Sequence, residues 1–155
     1  MHARPLFAIL FLGTIHVAMG QSTALGRLNK AFNGQVVFAL DRQDRLTADH
    51  MQDRQHIRQD VVYVEFLDAD KVEWNSAERS IVLLCAEAHP QCIDKEIFKL
   101  NTVRHTGRCP IAWPGDEDLA EQVIADLREV IREGQAAAAS RSGTAETKSA
   151  ASRRR

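Results

Sequence analysis

The sequence predicts an α+β domain in which an antiparallel sheet of about five to seven short strands is closed by one C-terminal amphipathic helix. Three observations lead to this fold class. Short runs rich in β-branched and aromatic residues follow one another after residue 33, as is typical of strands. The links between these runs are too short for crossover helices, which favours antiparallel pairing. A longer segment with helical periodicity then follows, over residues 114–134.

The overall composition limits the classes of function. The chain has 155 residues, with 20 Lys and Arg against 21 Asp and Glu, and 45% of its residues are apolar. This length suits one domain with an appendage, and the composition is not that of a disordered chain. The balanced charge excludes a chain-wide basic surface, so we expect no specific nucleic-acid binding. Three cysteines are too few for a disulfide-dense miniprotein.

Residues 1–20 have the pattern of a secretory signal peptide. A short basic start precedes residues 5–20, which contain no Asp, Glu, Lys or Arg. Ala18 and Gly20 place small residues at positions −3 and −1 of a cleavage site, which predicts cleavage before Gln21. An uncleaved anchor is the alternative, but the apolar run is shorter than the ~20 residues of a spanning helix. We therefore expect an exported protein, periplasmic or secreted, with no transmembrane span after cleavage.

Residues 135–155 differ in composition from the rest of the chain. They are rich in Ala and Ser, and none of their apolar side chains is larger than Ala. Such a segment buries too little apolar area to offset its ordering entropy, so we predict a disordered tail. The tail has five basic residues and one acidic residue, whereas residues 21–134 have 14 basic and 20 acidic residues. A solvated tail explains this pattern, and the alternative is a weak, salt-screened contact of Arg153, Arg154 and Arg155 with an anionic surface.

The strands are predicted from apolar runs bounded by turn residues. They lie at residues 35–40, 46–48, 61–67, 72–75 and 80–86. The last of these runs is apolar on both faces, which predicts a central strand. Residues 93–103 are predicted to be its antiparallel partner, with core side chains at Ile97, Phe98, Leu100 and Val103. The polar residues 49–60 receive no assignment.

Two helices are predicted at the ends of the domain. The first is short, ends at Asn33-Gly34, and has apolar residues at helical spacing: Ala24, Leu25, Leu28, Ala31 and Phe32. The second follows Pro114-Gly115, has acidic residues in its first turn and is predicted to end at Gly134. Its apolar stripe consists of Leu119, Val123, Ile124, Leu127, Val130 and Ile131. This order of strands and helix, over residues 33–134, resembles the pleckstrin-homology-type architecture in topology, without a specific motif. The resemblance implies a scaffold that binds a ligand or partner.

A cysteine–histidine cluster is the most distinctive chemical feature. Cys85, His89 and Cys92 lie at the end of the most apolar strand, and His105 and Cys109 follow. Two cysteines flanking a short turn in an exported protein predict a Cys85–Cys92 disulfide across a hairpin, with Cys109 as the free thiol. The alternatives are a pair involving Cys109, free thiols, and a metal-binding or thiol-redox site formed by these five residues. The spacing matches no standard zinc pattern, however, and the sequence has no C-x-x-C motif.

The other chemical patterns are weaker. Asp49, His50, Asp53 and His56 form an acid–imidazole group that a polar hairpin loop also explains. No G-x-G-x-x-G, H-E-x-x-H or G-x-S-x-G motif occurs in the sequence. We therefore predict an exported, non-enzymatic protein, without a cofactor, that binds an unknown protein or small molecule. The alternatives are a metal-binding or thiol-redox protein and an inhibitor of an extracellular hydrolase.

Overall fold

The computed structural model describes residues 23–43 and 45–152, with side-chain exposure through residue 141. The predicted signal peptide, its cleavage site before Gln21 and the three C-terminal arginines lie outside the described residues. The predicted fold class is confirmed, because antiparallel strands form two sheets and a long helix follows them.

The described elements begin with α1 (Thr23–Ala31), β1 (Val36–Leu40), β2 (Arg45–Gln52) and β3 (Gln55–Tyr63). They continue with β4 (Glu73–Asn75), β5 (Ser80–Leu84), β6 (Ile93–Ile97), β7 (Thr102–Thr106), β8 (Arg108–Ala112) and α2 (Ala120–Ser152). The larger sheet has five strands in the order β1-β2-β3-β6-β7, and the smaller has three in the order β4-β5-β8. All pairings are antiparallel.

The polar segment that received no assignment forms much of the larger sheet. β2 runs to Gln52, a tight turn follows at Asp53 and Arg54, and β3 begins at Gln55. Both turn residues have positive φ, 49° and 63°, as a two-residue hairpin turn with the twist of the sheet requires. The predicted strand at residues 61–67 is the end of β3, which stops at Tyr63 and is followed by a short 3-10 turn.

The predicted pairing of residues 93–103 with residues 80–86 is wrong. β5 is the central strand of the smaller sheet, as expected, but its two partners are β4 and β8. Residues 93–103 contain β6 and the start of β7, and β6 pairs with β3 in the larger sheet. The chain therefore passes from one sheet to the other between residues 85 and 92.

Three of the predicted core residues are exposed. Phe98, Leu100 and Val103 are 38%, 60% and 52% exposed, and Ile97 is half-buried. They lie in and beside the turn joining β6 to β7, at the end of the larger sheet, and they are not part of the core cluster. The core contains the apolar faces of α1, of α2 and of both sheets.

Helix α2 does not end at Gly134. The glycine lies against Val64, where an added Cβ would come within 2.9 Å of a methyl group, so its role is a close helix approach. Just beyond it, Gln135 Nε2 donates to the carbonyl oxygens of Val64 and Leu67 at 3.0 and 3.1 Å. Five of the six predicted stripe residues are buried, but Leu119 is 56% exposed because it precedes the helix in a 3-10 turn. The disorder predicted for the tail stays a prediction.

Two side-chain contacts tie α1 to the rest of the domain. Arg27 bonds to Asp126 and Glu129 of α2, at 2.7 and 2.8 Å. Asn29 bonds to both backbone groups of Phe38, accepting from its N–H at 2.7 Å and donating to its carbonyl at 2.9 Å. Among the described residues, no helix is long and apolar enough to cross a membrane.

Candidate functional site

The cysteines of the predicted cluster are at two places. The sulfurs of Cys85 and Cys92 lie at disulfide-bonding distance, and their Cα atoms are 5.8 Å apart. Cys109 is free and fully buried. The pair is the predicted one, but it does not cross a hairpin. Cys85 follows β5 and Cys92 precedes β6, so the link holds together the two sheets where the chain passes between them.

The histidines of that cluster do not join the cysteines in a metal-binding group. The ring of His89 stacks on Phe66 with centroids 4.1 Å apart. His105 Nδ1 lies 2.6 Å from Asp94 Oδ1 on the exposed face of the larger sheet. In the described part of the chain, no group of three or more His, Cys, Asp or Glu side chains has an arrangement that could hold a metal ion.

The predicted acid–imidazole group is divided by the alternation of β2. His50 points into the protein and is 8% exposed. Asp49 points outward, where its Oδ1 lies 3.0 Å from His56 Nε2. Asp53 lies in the turn after β2. Because successive residues of a strand face opposite sides, these four side chains do not form one site.

A buried polar cluster formed by His50, Arg58, Asp60 and Cys109 lies between the two sheets. Asp60 Oδ2 is its centre, 2.8 Å from His50 Nε2 and 2.9 Å from Arg58 Nη2, and it accepts from Cys109 Sγ at 3.0 Å. Arg58 Nη2 also lies 2.7 Å from His50 Nε2. Sequence reasoning named His50 and Cys109 separately but missed Arg58 and Asp60, which lie in the unassigned segment. The signal was present, because positions 58 and 60 share one face of a strand with Val62.

The electrostatics of this buried cluster favour a structural role. Burial raises the pKa of Asp60. Hydrogen bonds from His50 and Cys109 and the charge of Arg58 together lower it by more than burial raises it, so the pKa lies below its usual 3.8. Burial, together with the negative charge of Asp60, raises the pKa of the Cys109 thiol well above its usual 9.0. A buried thiol that stays protonated is a poor nucleophile. The positively charged Arg58 Nη2 already lies against both His50 Nε2 and Asp60 Oδ2, which disfavours a cation at these two atoms.

Four apolar side chains at one end of the larger sheet are exposed and not buried. Ile57, Phe98, Leu100 and Val103, which we call the hairpin-end surface, are between 38% and 60% exposed. They lie at the same end of the sheet, because the antiparallel register of β3 and β6 places the β2–β3 turn beside the β6–β7 turn. Contiguous exposed apolar side chains with a polar rim are typical of interaction surfaces.

The rim of the hairpin-end surface is polar and partly concave. An open pocket of about 630 Å³ is lined by Ile57 and Phe98 together with Gln52, Asp53, Gln55, His56 and Lys99. The His56 ring contacts the Phe98 ring with centroids 4.7 Å apart, which holds the phenyl group at the surface. Apolar side chains inside a ring of polar groups have the arrangement of a protein contact site.

A second open pocket, of about 580 Å³, lies between α1 and the start of α2. Ala31, Trp113, Leu119 and Val123 give it an apolar lining, and Arg27, Lys30 and Asp126 add charge at its border. Trp113 is 5% exposed and packs edge-on against Phe32, so only Leu119 presents a large apolar side chain to solvent here. The pocket is therefore a weaker candidate than the hairpin-end surface.

Comparisons with protein-family models, with curated proteins and with solved structures find no match to this chain. The topological resemblance to the pleckstrin-homology-type architecture therefore brings no function to it. The function has to be inferred from the surfaces and side-chain clusters of the chain itself.

Proposed function

We propose that this protein is an exported binding protein and that the hairpin-end surface is where it contacts a partner protein. The single observation that carries the proposal is the exposure of Phe98, Leu100 and Val103 beside Ile57 in an otherwise polar sheet end. When a partner covers exposed apolar side chains grouped in this way, binding is stabilised by roughly 25 cal/mol per Å² of apolar surface buried. A phenylalanine at the edge of a pocket is a suitable anchor for such a contact.

Two further observations support export. Residues 1–20 have the sequence pattern of a signal peptide. The Cys85 and Cys92 sulfurs lie at disulfide distance, and such bonds persist in oxidising compartments.

The clusters that favoured the alternative functions have other roles in the described structure. A metal site would need Cys85 and Cys92 as thiolates, but their sulfurs lie at bonding distance from each other. The third sulfur, Cys109, is buried against Asp60. Binding through an exposed surface is therefore the better-supported function.

The proposal is tested with a double variant of the surface. Phe98→Ser with Leu100→Ser removes its aromatic side chain and its most exposed side chain. Because both side chains are partly exposed, we expect stability to change by only about 0.5 kcal/mol each. The matched control is Val37→Ser on β1, at the other edge of the same sheet, where the valine is 41% exposed.

The measurement is quantitative capture from an envelope extract, followed by calorimetric titration of the purified captured protein. A specific partner should bind the wild type and the Val37→Ser control equally. The double variant should bind at least about tenfold more weakly, the effect of losing roughly 1.4 kcal/mol of contact energy. A partner that binds the double variant as tightly as the control would show that the contact lies elsewhere.

A further inference from the structure

The two edge strands of the larger sheet, β1 and β7, differ in what lies beside their outer backbone groups. At one edge, the Asn29 amide bonds to the N–H and the carbonyl of Phe38 and so occupies the place of a neighbouring strand beside β1. At the other edge, β7 pairs with β6 on one side, and no described strand lies on its other side. Open strand edges are the sites at which extended segments of other proteins add to a sheet.

The edge at β7 also carries an unneutralised pair of positive charges. Lys95 of β6 and Arg104 of β7 lie directly opposite each other in the strand register and therefore on the same face. Neither forms an ion pair with a described residue. Like charges directly opposite each other destabilise an antiparallel pair.

The nearest acidic residue in the register does not neutralise this pair. Asp60 of β3 lies opposite Lys95 on its other side, but the Asp60 carboxylate is held by Arg58, His50 and Cys109. On the opposite face of β7, His105 lies beside Asp94, and Val103 is exposed. One face of the open edge is therefore basic at its centre, and the other is apolar at Val103.

We infer that β7 binds an extended segment of the partner as an added strand, with an acidic side chain next to Arg104 and an apolar side chain next to Val103. This inference rests on the proposed function and specifies the chemistry of the partner. An added strand satisfies the open backbone groups of β7, and its carboxylate relieves the repulsion between Lys95 and Arg104. Its apolar side chain extends the contact to the hairpin-end surface.

Charge selects this occupant over two others. A second copy of the chain would bring another Lys95 and Arg104 pair to the same edge. The C-terminal residues Arg153, Arg154 and Arg155 are basic as well. In these two arrangements basic side chains would face Lys95 and Arg104, whereas an acidic segment of a different protein would bring carboxylates to them.

The experiment uses the full mature chain, labelled with ¹⁵N, and a short synthetic peptide of alternating valine and glutamate residues. Amide chemical shifts should change most at residues 102–106 of β7 and at Phe98 and Leu100. A peptide in which lysine replaces glutamate should bind about three- to tenfold more weakly, the range expected for exchanging an attractive cross-strand charge pair for a repulsive one. A valine–glutamate peptide with N-methylated backbone amides should lose binding, because it cannot pair as a strand.

The variant Arg104→Glu should reverse the preference between the glutamate and lysine peptides, whereas Arg42→Glu, at the opposite end of the sheet, should leave it unchanged. Equal binding of the N-methylated peptide, shifts away from β7, or no binding of either charged peptide would overturn the inference. The proposed function is judged separately. If a captured partner depends on Phe98 and Leu100 but not on Arg104, the surface stands and the added strand does not.

Discussion

Replacing Asp60 by asparagine tests what the buried polar cluster contributes. The Asp60 side chain is 1% exposed, and three partner groups meet its Oδ2 atom. Asp60→Asn keeps the shape but removes the charge that Arg58 faces. Hydrogen bonds to a charged group contribute about 1.5–3 kcal/mol, and breaking a fully buried ion pair costs about 3–5 kcal/mol. Because the Arg58 side chain is 28% exposed, water solvates part of its charge, and we expect a loss of about 2–3 kcal/mol.

The matched control for this substitution is Asp126→Asn. Asp126 is also buried, with a side chain 5% exposed, but its partner Arg27 is 47% exposed and therefore well solvated. We expect this variant to lose only about 1 kcal/mol. The assay is urea unfolding monitored by tryptophan fluorescence, with the comparison made at equal m-values. If Asp60→Asn is no more destabilising than Asp126→Asn, the cluster is not the stabilising centre that its geometry indicates.

The same substitution has a pH signature whose sign follows from the lowered pKa of Asp60. As the pH falls, the unfolded chain takes up a proton at this group before the folded protein does. The contribution of Asp60 is therefore complete above its unfolded pKa of about 3.8 and is lost as the pH falls through the lower folded pKa. Unfolding free energies measured from pH 6 downward should decrease more steeply in the wild type than in Asp60→Asn. Parallel curves would contradict the assignment.

Three further predictions concern the cysteines, Gly107 between β7 and β8, and the long helix α2. Thiol titration of the unfolded, unreduced protein should find one free thiol, which peptide mapping assigns to Cys109; three free thiols would contradict the predicted disulfide. Gly107→Ala should cost about 1–3 kcal/mol in urea unfolding, because its Cβ would overlap the carbonyl oxygen of Pro90, and an unchanged midpoint would refute this contact. Ending the chain after residue 141 should leave the thermal midpoint within about 5 °C of that of the full chain. Gln135→Ala should lower the midpoint measurably, because it removes two partly buried hydrogen bonds. A larger effect of the truncation would show that the tail belongs to the folded domain.

Local patterns were sufficient to predict the elements that bury a continuous apolar face. The run at residues 80–86 is apolar on both faces, and β5 is the buried central strand of its sheet. The stripe of Val123, Leu127 and Val130 is likewise buried on α2. Both predictions succeeded because the periodicity of a buried face is present in consecutive residues.

Pairing between strands was not predictable in the same way. The short segment between Cys85 and Cys92 is typical of a hairpin, yet the chain uses it to pass from one sheet to the other. Which strands pair with β5 and β6 depends on β8 and β3, which are distant in sequence. β8 pairs with β5, and β3 pairs with β6, in place of a β5–β6 hairpin. The two cysteines predicted to pair lie at disulfide distance. The geometric reason given for this was wrong, because they lie close where the chain passes from one sheet to the other and not across a hairpin.

The candidate binding surface was hidden for a related reason. Phe98, Leu100 and Val103 are apolar, and apolar side chains are buried more often than not. Val103 lies on the face of the larger sheet opposite the buried Val62 and Ile93. Phe98 and Leu100 lie in the 3-10 turn at the end of that sheet, outside the core cluster. The polar cluster around Asp60 was missed for the opposite reason. Predicting it would have required knowing that charged residues of a polar segment face inward.

The central claim, that the hairpin-end surface is the contact site, is tested most directly by photo-crosslinking in living cells. A photoreactive phenylalanine analogue is placed at Leu100, and a matched control places it at Leu119, which is 56% exposed beside α2. The account predicts a discrete protein adduct from position 100 that disappears with Phe98→Ser, and no such adduct from position 119. Irradiation that yields no adduct at position 100, or the same adduct at both positions, would contradict it.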